Sequence, residues 1–557
     1  MRLRLQKNRN CLLYFLWIGA VLVNLKSIFT DFGIDNGYAI ATSYRHISGD
    51  HMFLEMWEPH QTSAFLVDIL MIIYRIFVPS LTGVAIYLQV MGVLLWIPII
   101  IILYRELSKH IDTVIAHMIC ILLFVFRAKQ TVFPEFSNMQ IGFSVLFFVF
   151  LIKYIFDQRR IRYLILSAVF MCLEILSYPT CIIVFFAAAV LLLLYTERRW
   201  RNVLAFSGVC LVLGSLYVGY FIWARGFSEL CNTLWLLIKA DASHTGGDTM
   251  PLFDYLHVFA EGVVYIAGIL SIAAVICICF RKYRNIPFLA VFGGIMLATA
   301  GAILLFLMIR KQNAFEWQYC IVLVLLIAIG IRGYGYLTVT EKKIWISGTL
   351  ISFSSFFAVA ILTNCALMSV VAYLPLAAAV SMIVLPKFRK GTFFAGTVLL
   401  FIMLHRGLIV WGYSQLSYRT YVSDAESIIR TGPALGIICD DYTSCVYRDN
   451  VVDFERYIRP DDSVLLLKDN GFDPLVYVQA GVEVSISSTI SSPTFDTYQI
   501  EYWNRYRYKM PTVVAVECYG GENLTFGYSH QTFFEWVEEH YDFVGDGTWW
   551  KFYRIKE

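Results

Sequence analysis

"AFLVDILMIIYRIFV", residues 64–78, decides how this chain threads a membrane. It is apolar, but it is short for a span and carries Asp68 and Arg75. A helix crossing a bilayer needs about 20 residues. Counted as a span, the stretch inverts the orientation of everything after it. Counted as an interfacial or re-entrant helix, it leaves every later cluster of Lys and Arg on one side, as the positive-inside rule requires. We adopt the second count.

The composition around this stretch is that of a polytopic membrane protein. The chain has 557 residues, of which 59% are hydrophobic, and a mean hydropathy of +0.65. Charged residues make up 15%, where a soluble domain carries about 25%. The net charge of +3 is spread in short clusters between apolar runs, so it gives no sign of a nucleic-acid partner, and none is expected. Those clusters are Arg2/Arg4/Lys7/Arg9, Arg105/Lys109, Lys153/Arg159/Arg160/Arg162, Arg198/Arg199/Arg201, Arg281/Lys282/Arg284, Arg332/Lys342/Lys343 and Lys387/Arg389/Lys390. Each is expected in the cytoplasm, with room between neighbours for one outward and one inward span. The expectation is an all-α bundle of about 13 transmembrane helices over residues 1–412, near 11–29, 81–104, 111–127, 139–156, 162–178, 180–196, 203–223, 257–280, 286–309, 317–331, 345–363, 366–385 and 391–411. Its N-terminus would be cytoplasmic, in a plasma membrane. The first span is read as retained, because no small-residue cleavage site follows it.

Residues 413–557 are polar and are expected to form an extracytoplasmic α/β domain. Residues 436–439, 464–468, 474–480 and 512–518 read as strands, 450–459 and 531–540 as helices, and the Gly545-Asp546-Gly547 turn as a hairpin. Most of the 13 cysteines lie in apolar runs and act as small hydrophobes. Cys439, Cys445 and Cys518 fall in the polar region, and the spacing leaves a Cys439–Cys445 disulfide open.

The same topology leaves three polar exterior loops, 30–63, 127–138 and 224–255, and a short one around 310–313. The first opens with TDFGIDNGYA and holds Asp31, Asp35, Asp50, Glu55 and Glu58. Arg127, Lys129, Arg225, Arg310 and Lys311 stand at outer ends of spans, against the positive-inside trend. Carboxylates and misplaced cations at one membrane face suit an enzyme acting on a lipid-linked phosphosugar. A carboxylate takes the proton of the attacking hydroxyl, and cations hold the leaving lipid phosphate.

A basic N-terminus, one span and then a D-x-x-Y motif (Asp35-Asn36-Gly37-Tyr38) resemble the GT-C superfamily of membrane glycosyltransferases. Protein mannosyltransferases, aminoarabinose transferases and oligosaccharyltransferases belong to it. Gly49-Asp50, the W-x-P-H of Trp57 to His60, an interfacial helix, and Glu135 in PEFSN beyond the third span continue the resemblance. The family's Asp-Glu pair is absent, since Asn36 follows Asp35. The resemblance implies transfer, with inversion, from a polyprenyl-phosphate sugar to a cell-envelope glycan or glycolipid.

Asp35 is the expected base, or a helix-capping acid. Asp31 is its assistant, or a helix-end acid. Glu135 is an acceptor-positioning or metal-ligating acid (Mg or Mn), or an ordinary loop acid. His60 is a candidate phosphate or sugar contact. Arg127, Lys129, Arg225, Arg310 and Lys311 either hold the lipid phosphate or snorkel to headgroups. Trp57, Trp223, Trp235 and Trp317 read as an interfacial aromatic belt. A transporter or flippase of lipid-linked glycans and a non-catalytic scaffold are the rival classes. Ionisable residues inside spans, a transporter trait, are few: Lys26 and Glu174.

Overall fold

The computed structural model describes residues 2–556 except 59, 128–130, 245–270, 273–274, 276–290, 296–297, 299–316, 363–370, 411–419, 422–424, 468–473, 490–492, 520–521 and 524–530. The membrane body contains α1 (Arg2–Thr30), α2 (Ile34–Ile47), α3 (Ala64–Phe77), α4 (Val84–Leu107), α5 (Thr113–Val125), α6 (Phe136–Phe156) and α7 (Ile161–Ser177). It continues with α8 (Val184–Tyr195), α9 (Arg199–Arg225), α10 (Phe227–His244), α11 (Trp317–Gly333), α12 (Val339–Leu362), α13 (Pro375–Ser381) and α14 (Gly391–Leu408). Six stretches, within α1, α4, α6, α9, α12 and α14, are long and apolar enough to cross a membrane. The expected spans near 257–280 and 286–309 fall largely outside the described residues, so six counts the described chain only. The loop expected at 224–255 instead carries α10, because Leu230, Leu234, Trp235 and Leu237 recur at helical spacing.

The ends of α1, α5, α7 and α14 and the starts of α4 and α6 gather on one face, here termed the site face. Asn24 Nδ2 donates to the Phe124 carbonyl (3.2 Å) and Thr62 Oγ1 to the Leu176 carbonyl (2.7 Å). Beneath this face, Glu174 ties three helices together. Its Oε1 accepts from Gln140 Nε2 (2.5 Å) on α6 and from Ser355 Oγ (3.0 Å) on α12.

Helix α3 starts and ends on the site face, so it does not cross the bundle. His46 Nδ1 pairs with Asp68 near its start (2.7 Å), and Tyr74 donates to the Thr82 carbonyl (2.5 Å) near its end. Ile69, Ile72, Ile73, Ile76 and Phe77 form one exposed apolar stripe, the pattern of a helix lying in an interface.

The 131–135 loop crosses α4 at Gly92. A Cβ there would collide with the Val132 carbonyl oxygen. Gly92→Ala is expected to displace this loop and destabilise the protein by about 1–3 kcal/mol, read as a lowered melting temperature in detergent.

The C-terminal region contains a sheet of order β6–β5–β7–β10–β9, with β8 (Glu522–Asn523) beside β7. Its strands are β5 (Ser463–Leu467), β6 (Glu483–Val484), β7 (Val513–Tyr519), β9 (Tyr541–Asp546) and β10 (Trp550–Ile555). Helices α15 (Asp441–Tyr457), α16 (Leu475–Ala480), α17 (Pro493–Arg505) and α18 (Gln531–His540) accompany it, with small pairs β1 (Ile409–Val410)–β2 (Thr420–Tyr421) and β3 (Ser427–Ile428)–β4 (Ile438–Cys439). Residues 474–480, expected as a strand, form helix α16 instead. Strands β5 and β6 run parallel, and parallel neighbours need a crossover rather than a hairpin. Pro474 opens that helix and Gly481, at φ +68°, closes it. Strands β9 and β10 pair antiparallel, but Gly545 and Asp546, expected in the turn, belong to β9, and the connection is 547–549. Cys439 and Cys445 are both free thiols.

This region packs on the site face. The Gly83 and Ala85 N–H groups donate to the Gly432 and Pro433 carbonyls (both 3.0 Å). Trp57, read from sequence as belt, is instead buried among the domain's own core residues. Its ring meets Tyr502 edge-on at 5.2 Å.

Candidate functional site

Helix α2 organises the site. Asp35, Tyr38, Thr42 and Arg45 recur at three-, four- and three-residue steps, the spacing that places side chains on one helix face. Asp35 is half-buried in the first turn, after Gly33 at the cap position. A carboxylate there is favoured by the helix dipole. Tyr38 is buried beside Thr42 and Glu58. Burial, then the Glu58 charge, pushes its phenol well above the usual value, so it stays a protonated donor. Tyr38 and Thr42 line a small pocket with His60, Ser63, Glu135 and Met139. His60 adopts φ +55° and stacks flat on Phe136 at 4.3 Å, with Tyr178 at 4.7 Å.

Both oxygens of Glu135 are used locally, accepting from the Ser137 N–H (2.7 Å) and the Asn138 N–H (2.8 Å) as the α6 cap. Asp31 is fully buried between two cations. Lys26 Nζ donates to its Oδ1 (2.9 Å), and Arg406 Nη2 lies 3.8 Å from its Oδ2. Arg406 also donates to the Val125 carbonyl and to Ser27 Oγ (2.7 Å). Arg127 grips the same end of α5 through the Leu123 (2.9 Å) and Phe126 (3.0 Å) carbonyls. Its guanidinium covers the Trp96 ring at 4.3 Å. Lys26 and Arg406 thus meet at Asp31, and Arg406 and Arg127 both hold carbonyls at the end of α5. Arg406 was missed from sequence, although it stands at the outer end of its span as Arg127 does.

An apolar cavity of about 290 Å³ begins at Trp96 and the 132–134 loop. It runs between α4, α6 and α7, past Ile99, Phe143 and Phe150. It shares Pro134 and Met139 with the Tyr38–His60 pocket. The small pocket, the Arg127 guanidinium and the apolar cavity therefore adjoin. Arg225 sits half-buried at the end of α9 and does not line either pocket. Lys129, Arg310 and Lys311 lie outside the described residues.

The other acids of the 30–63 loop form a seam to the C-terminal domain. Arg45 donates to Asp50 Oδ2 (2.8 Å), Glu58 Oε1 (2.9 Å), the Glu55 carbonyl (2.9 Å) and the Ser487 carbonyl (3.2 Å). Glu58 also accepts from Ser488 Oγ (2.6 Å) and the Thr489 N–H (2.7 Å). Lys509 bridges Asp50 and Glu483. Burial alone would raise the Asp50 carboxyl, but Arg45 and Lys509 outweigh it and hold it below the usual range. No three His, Cys, Asp or Glu side chains converge on a metal position among the described residues. The described donors do not fit a divalent-ion cage.

The Asp68 hydrogen bond raises the His46 pKa against partial desolvation, with the Asp68 and Asp50 charges adding to the rise. A group raised in the folded state contributes stability below its unfolded pKa of about 6.5 and loses it as pH rises through the folded value. Asp68→Asn is therefore expected to lower the melting temperature at pH 6 by on the order of 1–2 °C, shrinking toward pH 8.5, because His46 is partly solvated. Thermal scans across that range check it.

Sequence comparison finds no matching protein-family model and no matching curated relative. Solved structures with a similar chain path include the Archaeoglobus fulgidus oligosaccharyltransferase, solved with Zn and sulfate (12% identity, TM-score 0.39, 90% of this chain and 67% of that one). ArnT from Cupriavidus metallidurans in the apo state aligns at 11% identity and a TM-score of 0.42, over 97% of both chains. AglB from Archaeoglobus fulgidus, with an inhibitory peptide and a dolichol-phosphate, aligns at 10% identity and a TM-score of 0.37, over 90% of this chain and 69% of that one. The likeness is one of fold, and the chemistry rests on this chain's own residues.

Proposed function

We propose that the protein is an integral-membrane glycosyltransferase that moves a sugar from a polyprenyl-phosphate donor to a glycan or glycolipid acceptor. The observation that carries this is that the apolar cavity ends at Trp96 under the Arg127 guanidinium and shares Pro134 and Met139 with the pocket lined by Tyr38 and Thr42, on the helical stripe of Asp35. An isoprenoid chain suits the channel, and a phosphate suits the cations at its end. In the transfer, the acceptor oxygen bonds to the anomeric carbon as the bond to the lipid phosphate breaks, inverting that centre. Asp35 takes the hydroxyl proton, while the cations hold the charge that develops on the leaving phosphate. Tyr38 and His60 supply polar contacts to the sugar. The basic clusters support a site face and C-terminal domain outside the cytoplasm.

The test is transfer by the detergent-purified protein supplied with polyprenyl-phosphate sugars and envelope glycans, with products read by mass spectrometry. A product that depends on Asp35 supports the proposal, and no product from any donor overturns it. A reporter fused at the C-terminus checks orientation, and a cytoplasmic signal would remove the site from the outer face.

A further inference from the structure

A second cavity, of about 390 Å³, lies where the end of α2 and the 48–55 turn meet strand β6 of the C-terminal domain. Its size is within the range of small-molecule sites, yet its walls are polar. Asp50, Glu55 and Glu483 supply carboxylates, Lys509 an ammonium group, and Tyr44 and Tyr508 aromatic rings. We propose that this cavity binds a neutral saccharide, the acceptor of the transfer. Its role as acceptor site rests on the glycosyltransferase reading, but saccharide binding itself does not.

Four features carry the proposal. The acceptors are held rigidly: Asp50 between Arg45 and Lys509, Glu55 by the Tyr508 hydroxyl (2.6 Å), and Glu483 by Lys509 (2.7 Å). Fixed carboxylates bind hydroxyl pairs without the entropy cost of ordering them first. The Tyr508 residue is 62% exposed although its hydroxyl is tied down, so its ring offers a fixed apolar face for the C–H side of a sugar. Three carboxylates against two cations (Arg45 and Lys509) leave no surplus positive charge, which disfavours an anionic ligand. Finally, Arg45 lies in the cavity wall and on the α2 stripe, two turns from Tyr38. That is roughly 10 Å at 1.5 Å per residue, within the reach of a short glycan held here.

The experiment is binding of short gluco-, manno- and galacto-oligosaccharides to the full-length protein in detergent without donor, followed by saturation-transfer NMR. Binding by the wild type is expected, weakened about tenfold in Tyr508→Ala, a loss on the order of one stacking contact. Glu483, whose side chain is 51% exposed, gives a second variant, Glu483→Gln, that should weaken binding without unfolding the seam. Absence of binding from the whole panel, or equal binding by both variants, overturns the proposal. Binding without any transfer activity leaves this site standing and removes the glycosyltransferase reading. Transfer whose acceptor KM neither variant changes does the reverse.

Discussion

Asp35→Asn is expected to lower sugar transfer by about 10²–10⁴-fold, the usual share of a general base, with the melting temperature nearly unchanged. The substitution keeps the side chain's shape and removes only its basicity. Its structural cost is the loss of a favourable charge near the start of α2, about 0.3–1 kcal/mol. The catalytic loss corresponds to about 3–5 kcal/mol of barrier, so chemistry and folding separate cleanly at this residue. Asp31→Asn should behave in the opposite way. It strips the counter-charge from Lys26 and Arg406, leaving buried cations unbalanced, so stability falls first. Steady-state transfer assays and thermal scans on both variants decide the matter. Wild-type transfer by Asp35→Asn would remove it as the base.

Glu58→Ala is expected to destabilise the protein by about 3–5 kcal/mol, the cost of breaking a buried ion pair by deleting one partner. The carboxylate is fully buried and serves Arg45, Ser488 and the Thr489 N–H together. Its loss leaves donors on two sides of the seam without an acceptor. Scanning calorimetry or limited proteolysis in detergent reads the effect, with early cleavage expected between the membrane body and the C-terminal domain. The double change Arg45→Met with Glu58→Met should recover part of the loss, since neither charge is then stranded. A melting temperature equal to wild type in Glu58→Ala would show that the seam does not hold the domain in place. The same seam gives an acid limit. Stability from the depressed Asp50 carboxyl is present above its unfolded pKa of about 3.9 and fades as pH falls through the folded value.

Much of the membrane body was legible because its signals are local. Hydropathy over a span's length placed α1, α4, α6, α9, α12 and α14 close to their observed bounds. The exposed stripe of α3 likewise follows from its own residues. Misreadings came where a short apolar run has two solutions. Residues 474–480 bury Leu475 through Val478 and would do so as strand or helix. The parallel pairing of β5 with β6 chose the helix. Trp57 was read as belt because nothing near it in sequence shows the core, some 400 positions later, that encloses it through Tyr502.

The candidate site divides in the same way. The sequence by itself determined that carboxylates and out-of-place cations follow the first span, while the helix that puts Asp35, Tyr38 and Thr42 on one stripe lies in what reads from sequence as a loop. Only the tertiary structure decided which of these acids are tied to distant partners. Asp50, Glu55 and Glu58 are bound to Arg45, Tyr508, Ser488 and Lys509, Glu135 caps α6, and Asp31 neutralises Lys26 and Arg406. Those partners lie up to several hundred residues away, and a buried charge takes whichever counter-charge the packing brings to it. Spacing along the chain carries no trace of that choice.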